Sequence, residues 1–125
     1  IPPTDEGELK WRESGTDAGP ASIDDGRANT NLIPNEARFP AFKACKDLRF
    51  GGYSDWYLPA QGELFHLFAV RPQLEVKENI ANFTTDYYWS STQLLTSHAW
   101  TQGVTNGSQY NGTKSGARAV RCVRR

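Results

Sequence analysis

The chain has 125 residues and carries 14 Lys and Arg residues against 14 Asp and Glu residues, so its formal net charge is zero. This length corresponds to one domain, and no apolar run approaches the roughly 18–20 residues that a transmembrane helix needs. Fifteen aromatic residues supply large buried areas, and a net charge of zero argues against disorder. The composition therefore indicates one folded, aromatic-rich domain.

The charges are segregated along the chain. Residues 1–25 contain seven acids and two bases, a net of −5, whereas residues 87–125 contain five bases and no acid, a net of +5. A basic segment without acids can attract polyanions such as sulfated sugars, nucleic acid or acidic membranes. Alternatively, the acidic start folds back onto the basic end and neutralises it, and charge alone does not distinguish the two.

Residues 1–35 are rich in Pro, Gly, Asp, Asn and Thr, which predicts an extended lead-in and loop. Within it, Asp24, Asp25, Asn29 and Asn31 offer oxygen ligands of the kind that bind calcium. They lack the twelve-residue pattern of a calcium loop with its closing Glu. A solvated cluster of Asx turns is therefore the favoured interpretation, and no metal site is predicted.

Two helices are predicted in the middle of the chain. The first spans Pro40–Leu48, because proline is favoured in a first helical turn and four apolar residues share one face. The second spans Gln61–Val70, with an apolar stripe and a stop at Pro72. Ala60 stands where Ser or Thr would complete a capping box with Glu63, and that vacancy costs about 1 kcal/mol.

From residue 87 onward the pattern changes to short strands and tight turns. Tyr87–Ser91, His98–Val104 and Ala117–Val123 are predicted strands, and Asn106-Gly107 is the strongest hairpin signal in the chain. Helices that precede an antiparallel meander predict an α+β fold.

Residues with catalytic potential are few. His66 and His98 have no recognisable Ser or Cys nucleophile beside them and no H-x-x-x-H spacing, and no phosphate-binding loop is present. We therefore expect neither catalysis nor a cofactor. Cys45 and Cys122 either remain two buried thiols or form a disulfide, which would stabilise the fold by about 4–5 kcal/mol.

A polar stretch between Trp100 and Lys114 is the best candidate for a binding surface. It is full of amides, hydroxyls and glycine, with Trp100 and Tyr110 interleaved. Amides and hydroxyls give adaptable hydrogen bonding, while rigid aromatic rings give contact area at small entropic cost. The alternative is an ordinary polar hairpin.

Three motifs occur in a fixed order: G-G-Y-S-D-W-Y-L-P at 51–59, Y-W-S-S-T at 88–92 and R-A-V-R-C-V-R at 118–124. This set resembles the Lcl C-terminal-domain family, named for a bacterial collagen-like adhesin, over residues 28–125. The resemblance implies a C-type-lectin-like fold, with two helices packed on a twisted antiparallel sheet with long loops. It also implies that Cys45 and Cys122 pair, and that residues 1–27 form an acidic lead-in to a binding domain at 28–125.

The resemblance also implies a function. We expect an extracellular or cell-surface, non-catalytic recognition domain of a bacterial adhesin or phage fibre, which binds sulfated or otherwise anionic glycans such as glycosaminoglycans. A homotrimer at the end of a stalk, no nucleic-acid partner and no membrane insertion are expected as well. The sugar-binding motifs of calcium-dependent lectins are absent, which argues against calcium-mediated sugar capture. The predicted ligand-binding residues are His98, Gln102, Asn106, Gln109, Tyr110, Asn111, Lys114, Arg118, Arg121 and Arg124.

Two other functions compete with this one. The first is a variable protein-binding domain of the kind made by diversity-generating retroelements, and its adjustable surface would be Gln93, Gln102, Asn106, Gln109 and Asn111. The second is an oxidase like the formylglycine-generating enzymes, which needs two reactive cysteines close together in a cleft.

Overall fold

The computed structural model of the chain describes residues 7–12, 19, 21–77, 87–95, 97–103 and 108–124. The elements, in chain order, are strand β1 (Glu8–Lys10), helix α1 (Gly26–Asn31), helix α2 (Pro40–Asp47), a 3-10 turn (Phe50–Gly52), helix α3 (Gln61–Lys77), and strands β2 (Tyr87–Leu95), β3 (His98–Gly103), β4 (Gln109–Thr113) and β5 (Ala117–Ala119). The α+β class is confirmed. Within these ranges, no helix is long and apolar enough to cross a membrane.

The five strands form one sheet in the order β1-β5-β2-β3-β4. Neighbouring strands are antiparallel except β2 and β5, which run parallel. The prediction of a wholly antiparallel sheet is therefore wrong. After β4 the chain does not continue the meander but passes to the other side of β2, so β5 enters the sheet in the same direction as β2. Such a long-range crossover leaves no signal in local alternation.

Residues 8–11, which were assigned to the lead-in, are part of the packed domain. Strand β1 pairs with β5, with Leu9 opposite Arg118. Trp11 is 1% exposed, stands edge-to-face on Phe42 of α2 at 4.8 Å, and donates from Nε1 to the Ser90 carbonyl at 2.8 Å. The acids Asp5, Glu6, Glu13 and Asp17 of the same segment lie outside the described residues.

Strand β2 supplies both hydrophobic clusters because adjacent side chains of a strand point to opposite faces. Trp89 packs in the larger cluster with Trp11, Phe42 and Val120. Tyr88 packs in the smaller cluster with Leu64 of α3. The sheet therefore has α2 on one face and α3 on the other.

The disulfide implied by the family resemblance is confirmed. Cys45 on α2 is bonded to Cys122, three residues beyond β5, and their Cα atoms lie 5.5 Å apart. Both residues are fully buried in the larger cluster. The bond joins the first long helix to the C-terminal end of the chain.

Helix α1 forms where the sequence predicted a loop. Asp25 caps it, since its side chain accepts from the Ala28 N–H at 3.0 Å. Asn29 is 1% exposed, and its amide exchanges hydrogen bonds with the Ser22 backbone and donates to Ser91 Oγ at 3.1 Å. Of the side chains considered for calcium, Asp25 thus caps α1 and Asn29 fastens it to β2, while Asp24 accepts from the Ser22 hydroxyl at 3.1 Å.

Helix α3 continues past Pro72 to Lys77, so the predicted end at Val70 is wrong. A proline inside a helix removes one hydrogen bond and costs about 3 kcal/mol, yet its fixed φ is compatible with helix. Among the strands, β2 is longer than predicted and has a register shift between Trp89 and Gln93. The predicted last strand is divided into β5 and a bridge between Val123 and Tyr57. The hairpin signal Asn106-Gly107 and the strand end Val104 lie outside the described residues.

Candidate functional site

Two of the four predicted basic ligands are buried. Lys114 is 2% exposed and Arg121 is 1% exposed. The Lys114 ammonium donates to Gln93 Oε1 at 2.6 Å and lies 4.3 Å from the centre of the Trp11 ring. A charge held inside the fold is not available to a polyanion at the surface.

Arg124 is engaged by an acid. Its guanidinium donates to both Asp55 carboxylate oxygens, at 2.6 and 3.1 Å, and lies 3.7 Å from the centre of the Tyr53 ring. These hydrogen bonds hold the pKa of the Asp55 carboxyl below its ordinary value. Because Asp55 lies outside the acidic segment at 1–25, the neutralisation of Arg124 does not depend on that segment.

Arg118 is the partly exposed member of the basic group. Its guanidinium stands 5.9 Å from the Trp89 ring and donates to the Ala117 carbonyl at 2.9 Å. A methyl group on Gly112 of β4 would lie 3.5 Å from one of its terminal nitrogens. Arg118 therefore lies against β4, which carries the polar candidates.

The predicted polar ligand residues likewise divide into exposed and buried ones. Gln109, Tyr110 and Asn111 are all exposed and follow one another along β4, at the edge of the sheet. Gln102 is 1% exposed and donates to the Gly103 carbonyl at 2.8 Å. His98 is half-buried, with Nδ1 2.7 Å from Ser97 Oγ. Asn106 lies outside the described residues.

Tyr87 is absent from the predicted site but belongs with Tyr110. The two rings stand edge-to-face at 5.4 Å, and 36% of Tyr87 and 49% of Tyr110 are exposed. Tyr87 pairs with Gly103 and Tyr110 with Thr101, so both rings project from the same face of the sheet. The two rings meet only because β2 and β4 both pair with β3, which the sequence alone does not show. We call Tyr87, Gln109, Tyr110, Asn111 and Arg118 the β4 surface; it wraps around the edge strand, because Gln109 and Asn111 point to the face opposite Tyr110.

A second candidate is a groove of about 450 Å³ between α1, α2 and the loop before Trp56. Its lining is largely polar and is formed by Arg27, Asn31, Lys46, Ser54, Asp55, Trp56 and Tyr57. Partial burial lowers the pKa of the Lys46 ammonium below its ordinary value. Residues 54–57 of the lining of this polar groove belong to the motif at 51–59, but that motif did not indicate a binding site. Arg27 and Lys46 stand in no recognisable motif, and only the packing of α1 beside α2 brings them to the groove.

The sequence model of the Lcl C-terminal domain family matches residues 5–124 of this chain. The chain belongs to the Lcl C-terminal domain family. No curated protein matches it. The family match begins well before residue 28, where the motif resemblance starts, and so includes β1 and the buried Trp11.

Membership in the Lcl C-terminal domain family suggests an adhesin-like extracellular domain. The buried disulfide of this Lcl C-terminal domain fits that assignment, since disulfides persist in oxidising compartments. The two cysteines are the only ones in the sequence, and neither is free.

This Lcl C-terminal domain also has an apolar cavity of about 440 Å³, lined by Asp24, Tyr57, Gly62, Glu63, His66, Leu67 and Val123. Its carboxylate Glu63 accepts from the Gly26 and Ala60 N–H groups at 2.8 and 3.0 Å, and from the Tyr57 hydroxyl at 2.9 Å. These contacts join α1 and the loop before α3 to the start of α3, so Glu63 has a structural role. Among the described residues, no cluster of three or more His, Cys, Asp or Glu side chains could hold a metal ion.

Proposed function

We propose that this domain is the extracellular, non-catalytic recognition module of a bacterial adhesin or phage fibre, and that its β4 surface binds a sulfated or otherwise anionic glycan. The proposal includes a C-type-lectin-like fold and a homotrimer at the end of a stalk. Its partner is a surface polymer, with neither nucleic acid nor membrane insertion involved. Family membership supports the adhesin-like class, and the β4 surface supports the ligand.

The carrying observation is that Gln109, Tyr110 and Asn111 are exposed together on an edge strand, with a second exposed ring, Tyr87, against Tyr110. Aromatic rings offer an apolar face with a polar tip, which suits the apolar side of a sugar ring. The Gln109 and Asn111 amides flank Tyr110 along β4 but point to the opposite face of the sheet. They can therefore hydrogen-bond only to the hydroxyls of a glycan that wraps around the edge strand. Arg118 adds a positive charge beside β4, which is the reason to expect an anionic glycan.

The rival functions have less support from the contacts. Gln93 and Gln102, two of the five positions of a retroelement-type variable surface, make internal hydrogen bonds. A surface chosen for variation would be expected to point those side chains outward. For the oxidase, Cys45 and Cys122 are joined to each other in the core, which favours a structural role over a reactive one.

Binding of the full chain to immobilised heparin, measured against NaCl concentration, tests the proposal. We expect affinity to fall between low and physiological salt, because the exposed charge of Arg118 is screened. Tyr110→Ala and Arg118→Gln should each weaken binding by about tenfold, equivalent to about 1.4 kcal/mol.

The matched control is Arg38→Gln, an exposed arginine that is paired with Glu36 and lies outside the β4 surface. It should bind like wild type. Retention that does not depend on salt would contradict an anionic ligand. Full affinity in the Tyr110→Ala variant would show that the β4 surface is not the site.

A further inference from the structure

The polar groove carries more positive than negative charge. Arg27 and Lys46 line it, while its one carboxylate, Asp55, is already held by two hydrogen bonds from Arg124. Arg27 reaches Asp55 only at 3.6 Å, with both side chains more than 40% exposed. A guanidinium has five N–H donors, so this long, exposed contact leaves Arg27 able to take part in binding.

Lys46 is the less compensated cation. Among the residues that the structure describes, no carboxylate lies within ion-pair distance of its ammonium. The neighbouring Lys43, on the same helix, is by contrast paired with Asp47 at 3.0 Å. Partial burial disfavours the charged form of Lys46, so an anion placed beside it would gain more than one beside a solvated, paired lysine.

The other lining groups match a sugar. Asn31 offers a side-chain amide, Ser54 a hydroxyl and Asp55 a carboxylate. Together they can donate to and accept from several hydroxyls. The volume of about 450 Å³ falls within the roughly 300–1,000 Å³ that is usual for small-ligand sites.

We propose that the polar groove binds an acidic sugar, with its carboxylate or sulfate group between Arg27 and Lys46 and its hydroxyls against Asn31, Ser54 and Asp55. The groove shares no residue with the β4 surface, so it is a second binding site on the domain. The inference rests on the proposed glycan-binding function for its choice of sugar. Its geometry is independent of the β4 surface.

An NMR titration of the full, ¹⁵N-labelled chain tests it. The probes are glucuronate, which carries a carboxylate, glucose 6-sulfate, which carries a sulfate, and neutral glucose. We expect saturable amide shifts around Arg27, Lys46 and Ser54 with one or both acidic sugars and none with glucose. The two acidic probes identify which anion the groove prefers, and the bound anion should raise the pKa of the Lys46 ammonium.

Lys46→Gln and Arg27→Gln should each weaken the binding of the acidic sugar by about tenfold, the effect of losing one charge-assisted contact. Lys43→Gln is the matched control, because Lys43 lies on the same helix but does not line the groove, and it should bind like wild type. A dispersed spectrum in each variant shows that the fold is intact. The absence of saturable shifts with both acidic sugars, or equal affinity in the Lys46→Gln variant, would overturn the inference.

The two proposals can fail separately. If heparin binding depends on Tyr110 but neither acidic sugar shifts the groove, the groove inference is wrong and the proposed function stands. If the groove binds an acidic sugar and Tyr110→Ala leaves heparin binding unchanged, the β4 surface is wrong and the groove inference stands.

Discussion

The Lys114 ammonium donates to Gln93 Oε1 in β2 and packs on the ring of Trp11, with 2% of the residue exposed. Its backbone N–H donates to the Ser97 carbonyl, and its carbonyl accepts from the Arg12 N–H. One residue thus joins the N-terminal segment, β2 and the start of β3. Burying an ammonium is costly unless it is hydrogen-bonded, and contact with an aromatic face adds further stabilisation.

At the residue scale, Lys114→Met should therefore lower stability. The methionine keeps an apolar stem but leaves Gln93 Oε1 without this donor, so we expect the free energy of unfolding in urea to fall by about 1–3 kcal/mol. Lys43→Met, at a half-exposed helical site, is the control and should change it by less than about 0.5 kcal/mol. Unchanged stability with loss of heparin binding would instead identify Lys114 as a ligand contact.

At the element scale, the start of helix α3 shows how a tertiary contact replaces a local one. Ala60 cannot cap the helix, but Thr92 Oγ1 of β2 accepts from the Gln61 N–H at 2.9 Å. The Ile23 carbonyl accepts from the Gly62 N–H at 2.6 Å. Glu63 contributes the other half of a capping box through its bond with the Ala60 N–H. The vacancy expected from the sequence is filled by the packing of β2 and the loop before α1.

Thr92→Val tests that cap. The substitution keeps the shape of the side chain and removes the hydroxyl, which also donates to the Ser22 carbonyl at 2.7 Å. We expect thermal and urea denaturation to show a loss of about 1–2 kcal/mol, the usual value of a cap together with a buried hydrogen bond. Thr113→Val on exposed β4 serves as the control. Equal stability of the two variants would show that Thr92 does not cap α3.

At the scale of the whole molecule, the disulfide and the crossover of β5 act together. Strand β5 lies between β1 and β2, and Cys122, just beyond it, is bonded to α2. The two cysteines are 77 positions apart. A closed loop of that length strongly restricts the unfolded chain. In the folded state the bond holds α2 to the segment that follows β5, the last strand of the sheet.

The double variant Cys45→Ala, Cys122→Ala should be less stable than the oxidised protein by about 4–5 kcal/mol on the chain-entropy account. The measurement is the urea midpoint of the variant and of wild type with and without reductant. Reductant should lower the wild-type midpoint toward that of the variant and leave the variant unchanged. A wild-type midpoint that equals that of the variant under oxidising conditions would contradict a stabilising role for the bond.

The α+β class, helix α2 and the start of α3 could be predicted from the sequence because they depend on local periodicity and on residues that begin or end a helix. The ordered motifs indicated the family and, with it, the Cys45–Cys122 bond. The exposure of Gln109, Tyr110 and Asn111 agrees with the polar stretch proposed between Trp100 and Lys114, whereas strand β4, which carries them, was not predicted.

The structure was needed to establish which charges are available to a ligand. Nothing in the local sequence distinguishes Lys114 and Arg121 from cations at the surface. Lys114 is buried by Trp11, which lies more than 100 positions earlier in the chain. The polar groove and the pairing of Tyr87 with Tyr110 likewise arise from segments that meet only in the fold. Local patterns report what a segment prefers, whereas the exposure of a side chain depends on which distant segment packs over it.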